Sequence, residues 1–203
     1  MTRLAPLAVA ALIGLAVGAT NVGPRLRVDP DTPADLRDLA RGTWASFLAA
    51  FPARTACIPD VALVGRWTLP DRAEYRPDPP TVLVRIPATA RQLEAALVHE
   101  FAHHLEFQCP EQAGLRPAFL RSQGMPAGHP WFAGASWEAT PSERFAEATV
   151  QLVLGDRALR RRMAIGEEAE ALIRAWGLGL DPSTAASLGP APAPGPPTRT
   201  EDG

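Results

Sequence analysis

Two histidines four residues apart, with a glutamate directly after the first, form the run His99-Glu100-Phe101-Ala102-His103, the pattern H-E-x-x-H. Imidazole is a nitrogen donor that suits zinc, and a carboxylate can take a proton from water. Together these three side chains could activate water for hydrolysis. The chemistry requires a helix. Residues four apart then lie on one face about one turn apart, so both rings reach a single Zn2+ and Glu100 stands beside the open coordination position as general base. Composition produces this pattern by accident in roughly one chain in two hundred of this length and content, which makes chance a poor explanation.

A tetrahedral catalytic zinc needs a third protein ligand and leaves its fourth position to water. The best source is the run Thr140-Pro141-Ser142-Glu143-Arg144-Phe145-Ala146-Glu147, which opens a second helix with Thr140 as N-cap, Pro141 at the first helical position and apolar residues through Leu154. Glu143 and Glu147 are four apart and share a face. One can bind the metal while the other stands behind a ligand and hydrogen-bonds its imidazole. Glu143 also occupies the third helical position, where it could close a capping box instead. On the residues alone, either glutamate can be the ligand.

The H-E-x-x-H run and the downstream glutamate helix together resemble the zincin metallopeptidases, within them the group whose third ligand is a glutamate. Glu143-Arg144-Phe145-Ala146-Glu147 looks like the E-x-F-A-E segment of the peptidase domain of anthrax lethal factor-like proteins. The likeness covers about residues 81–154. It implies a zinc-dependent peptidase with Zn2+ held by His99, His103 and Glu143, and with Glu147 behind the ligands or as the alternative ligand. It also implies a Tyr or His that stabilises the oxyanion. The only tyrosine, Tyr75, lies upstream of the motif, and His129 is the other candidate.

Other residues near the motif have less specific roles. His104 adjoins His103 and is expected to be packed, or to support a ligand, because the i, i+4 geometry already selects His99 and His103. Trp131 and Trp137 precede the glutamate helix in a Gly- and Pro-rich loop, where they either line a substrate cleft or fill core.

The elements that must position these groups are legible around them. The segment 81–86 is β-branched and apolar between Pro80 and Pro87, which reads as a strand. Thr89-Ala90-Arg91-Gln92 fits a capping box, and Leu93, Leu97 and Phe101 recur at helical spacing until Cys109-Pro110 ends the run. This helix is apolar on nearly every side and so is expected to be buried. An amphipathic helix is expected over 31–51, two or three short strands over 54–86, and helical pieces over 156–163 and 167–176. The fold class expected is α+β: a small mixed or antiparallel sheet packed on the H-E-x-x-H helix, with a C-terminal helical layer.

The N-terminal residues suggest export. Arg3 precedes an apolar run over 4–17 followed by Gly18-Ala19, as in a signal peptide, and an uncleaved anchor reaching residue 22 is the other reading. Two cysteines, Cys57 and Cys109, suit an oxidising compartment as a disulfide pair rather than as metal ligands, since their spacing is not that of a metal site. The remaining chain reads as one domain over 28–180 and a Pro- and Ala-rich disordered tail over 181–203. A formal net charge of -2 argues against nucleic acid as a partner, so Arg160-Arg161-Arg162 is read as a solvated face. The expected partner is a peptide or protein substrate, with membrane contact only through the N-terminal segment. The alternative is an exported, non-catalytic zinc-binding or interaction protein on the same fold.

Overall fold

The computed structural model describes residues 23–159 and 163–181. The export segment over 1–22, Arg160-Arg161-Arg162 and the tail from residue 182 lie outside the described residues. The chain runs β1 (Leu26–Val28), α1 (Ala34–Ala50), β2 (Val61–Arg66), β3 (Ala73–Pro77), β4 (Pro80–Arg85), α2 (Ala90–Gln108), α3 (Gln112–Ser122), α4 (Pro141–Leu154) and α5 (Glu167–Gly177). The class is α+β, with one mixed four-stranded sheet in the order β1-β2-β4-β3. β1, β2 and β4 are parallel, while β3 folds back antiparallel on β4 with Tyr75 opposite Val82.

The ends of α2 follow from its sequence. Thr89 accepts a hydrogen bond from the Gln92 amide, and the Gln92 side chain accepts one from the Thr89 amide, so two backbone donors at the helix start are satisfied. At the other end Cys109 caps the last turn and Pro110 cannot continue it. Leu97, Val98, Phe101, Ala102 and Leu105 are buried, so α2 forms the centre of the molecule rather than a surface layer. On one side the Phe101 ring meets Trp44 and Phe47 of α1, at 4.8 and 5.6 Å between centroids. Removing a buried ring of this kind costs about 3–5 kcal/mol, so α2 has little freedom to tilt. On another side lies α4, whose buried Phe145 packs with Phe119 of α3 and with Trp131.

Two segments depart from the sequence pattern. α3 carries Gly114 and Pro117, helix-disfavouring residues that hide its periodicity, yet Leu115, Phe119 and Leu120 give it a buried face. The helical piece expected over 156–163 is not formed within the described residues. After Gly155, whose φ of 52° stops α4, the chain makes one short turn over Gly155–Arg157 and then leaves helical geometry at Ala158. Met163 and Ile165 are buried all the same, pinning an irregular segment to the core.

Cys57 and Cys109 form a disulfide with Cα atoms 5.0 Å apart, spanning 52 residues. Such a bridge fits an oxidising compartment. Among the described residues no helix is long and apolar enough to cross a membrane. For a loop of this length the chain-entropy model gives about 4 kcal/mol of stabilisation. Urea denaturation of the double variant Cys57→Ser/Cys109→Ser is expected to show a loss of that order. A loss below about 1 kcal/mol would mean the bridge constrains little.

Candidate metal centre

His99, Glu100 and His103 lie on α2 and face the first turns of α4, which carry Glu143 and Glu147. Thr140 precedes α4 but makes no capping hydrogen bond, its hydroxyl donating instead to the Ser136 carbonyl at 2.9 Å. The Glu143 side chain therefore does not close a capping box. Its Oε2 lies 3.0 Å from His99 Nε2 and 3.6 Å from His103 Nε2, and the two Nε2 atoms are 3.1 Å apart. A tetrahedral zinc with bonds of about 2.0–2.1 Å holds its donors about 3.3 Å apart, which this triangle matches on all three edges. Glu147 stands behind, its Oε1 3.1 Å from His99 Nδ1. Three residues on from His103, Glu106 places Oε2 2.7 Å from His103 Nδ1.

The electrostatics follow from this packing. Burial disfavours the imidazolium at both histidines, but hydrogen bonds to Glu143 and Glu147 at His99, and to Glu106 and Glu143 at His103, outweigh it and push both pKa values up. Burial also raises Glu143, yet the His103 and His99 rings beside it hold its carboxyl well below the usual carboxylate range. Glu100, 7% exposed, is pushed up by burial against the pull of the two histidines, and it accepts a hydrogen bond from the Tyr75 backbone. A carboxyl raised above its ordinary value is the stronger base, which suits a group that must take and return a proton.

His104 is packed, as expected. Its Nε2 sits 3.1 Å from the Pro59 carbonyl, which can only accept, so Nε2 carries the proton and Nδ1 accepts from the Tyr75 hydroxyl at 3.1 Å. Burial lowers its pKa to about 4, which keeps the ring neutral. The Tyr75 oxygen in turn accepts from Gln108 Nε2. Tyr75 thus lines the cleft, but its hydroxyl proton is committed to His104, and His129 is not among the lining residues.

The cleft over the triangle has a volume of about 800 Å³. The two tryptophans divide between the roles considered for them. Trp137 lines the cleft, its ring stacked at 6.1 Å over His99, whereas Trp131 is buried. Phe107, one turn beyond His103, stacks at 4.9 Å on Phe132, and both rings are half exposed on the cleft wall. The sulfurs of Cys57 and Cys109 lie near Glu111, but the disulfide removes them as ligands. Sequence reasoning missed Glu106 and Ser142. The signal for Glu106 was its place three residues after His103, on the same side of the helix.

No family model matches the sequence, and no curated protein or solved structure matches the chain.

Any zinc entering this triangle must displace the proton that the carboxylates favour on the imidazoles. The sign follows from the raised pKa values. At neutral pH the metal-free site holds at least one such proton, so affinity should climb by at least about tenfold per pH unit above pH 7. It should level off only near pH 10, the value toward which His103, the higher of the two rings, is pushed. Competition titration with a chelator across this range measures it, and a flat profile would contradict the geometry. In the same assay Glu143→Ala should abolish tight binding, while Glu147→Ala should weaken it only about 10- to 100-fold. The reverse order would make Glu147 the ligand.

Proposed function

We propose that this chain is an exported zinc-dependent peptidase, with His99, His103 and Glu143 holding the metal and Glu100 moving the proton. The observation that carries the reading is the triangle of Nε2, Nε2 and Oε2 atoms with edges of 3.1, 3.0 and 3.6 Å. Two neutral imidazoles and one carboxylate suit zinc in charge and in ligand type. Zinc held there would act as a Lewis acid, polarising a carbonyl and bringing the pKa of water near 7.

The protein's own groups supply the rest. Glu100, fixed by the Tyr75 amide and raised by burial, accepts a proton from water and returns it to the leaving amine. Glu147 and Glu106 hold the Nδ1 sides of the two rings, so Nε2 is the atom each ring offers to the cleft. The open cleft, with Trp137 and the Phe107–Phe132 pair on its wall, has room for a peptide. Support for a zincin relationship is the pairing of H-E-x-x-H with a glutamate helix packed directly against it. The disulfide supports export, with residues 1–22 read as signal peptide or anchor.

Glu100 separates an enzyme from a passive metal binder, since a binder has no use for it. Glu100→Gln should keep zinc while hydrolysis of a broad peptide library falls by at least about 10²-fold. His103→Ala should lose metal and hydrolysis together. Full cleavage by Glu100→Gln would discard the mechanism. A parent protein that binds zinc but cleaves no peptide would establish the non-catalytic metal-binding alternative.

A further inference from the structure

Glu106 carries a charged group into the interior, its side chain wholly inaccessible to solvent. Burying a carboxylate is costly unless it is paired, and an apolar residue of similar size would serve the packing of α2 as well. Its bonds therefore point to a purpose. Oε1 accepts from the Trp131 indole at 2.9 Å, and Oε2 accepts from the Ser142 hydroxyl at 2.9 Å and meets His103 Nδ1 at 2.7 Å. The indole only donates, so Oε1 is fixed as an acceptor. With Oε2 bound to the Nδ1 side, Nε2 is the atom of His103 left to face His99 and Glu143.

The same carboxylate grips the segment between α3 and α4. The Trp131 carbonyl accepts from the Ser142 amide at 3.0 Å, Arg116 lies 5.1 Å over the indole, and the next residue, Phe132, forms part of the cleft wall. We propose that Glu106 is a positioning residue that fixes the His103 ring with one oxygen and seats the cleft-wall segment through Trp131 with the other. Zinc affinity and the placing of that wall are then linked through one side chain. The inference rests on the metal reading above.

Glu106→Gln is the informative change, because an amide presents one acceptor and one donor. Turned one way, its NH2 meets His103 Nδ1 and forces the proton to Nε2. Turned the other way, it opposes the Trp131 N–H. Zinc affinity should fall about 10- to 100-fold, while circular dichroism of the metal-free variant keeps the parent's fold. Long-range 1H–15N spectra of the zinc-loaded protein should show His103 protonated at Nδ1 in the parent and altered in the variant. Trp131→Phe removes the indole donor without touching any of the three metal-facing atoms, and should also weaken zinc binding measurably. It decides the matter alone if Glu106→Gln does not fold. Zinc affinity equal to the parent's in the folded variants would overturn the inference and leave the metal reading standing. A parent that takes up no zinc would overturn both.

Discussion

Three electron-pair donors facing one point at hydrogen-bonding distance repel one another unless something positive lies between them. His99 Nε2, His103 Nε2 and Glu143 Oε2 are held in this way, and much of the architecture maintains that arrangement. α2 is locked by aromatic contacts to α1, and α4 by Phe145 against Phe119 and Trp131. Behind the triangle, Glu147 and Glu106 occupy the Nδ1 edges, so neither ring can turn over without breaking a hydrogen bond. Convergence is thus a property of two packed helices and not of one motif.

How far this could be read from the chain depends on the range of the interaction concerned. The spacing of His99 and His103, the capping box at Thr89 and Gln92 and the proline at the start of α4 are local, and local rules locate them. The α+β class follows from the order of such segments. The spacing of Glu106 from His103 was visible in the helical period, but its other partners, Trp131 and Ser142, lie 25 and 36 residues away and no local rule reveals them. α3 escaped because Gly114 and Pro117 lower its propensity, and its formation is decided by Leu115, Phe119 and Leu120 reaching the core. Within the described residues, the helix expected after Gly155 is stopped by the positive φ of that glycine and by the extended backbone of Ala158, which side-chain periodicity does not reveal.

His104 shows how an adjacent residue of the same type takes a different part. One position after His103, it is turned some 100° around the helix, away from Glu143 and toward Tyr75 and Pro59. It becomes a neutral hydrogen-bonding node that joins α2 to β3 and to the loop before β2. Identical side chains are thereby sorted, by the helix's own rotation, into one that meets carboxylates and one that meets a carbonyl and a phenol.

The disulfide divides the chain topologically. Joining Cys57 to Cys109 closes a ring that contains β2, β3, β4 and the whole of α2, including both histidines, while Glu143 sits outside it. The covalent circle and the helix that brings in Glu143 are therefore joined at the triangle by packing and hydrogen bonds alone. A cation shared by them would be a rivet between the two, closing a second circuit through residues 103–143 that uses α2 as its common side.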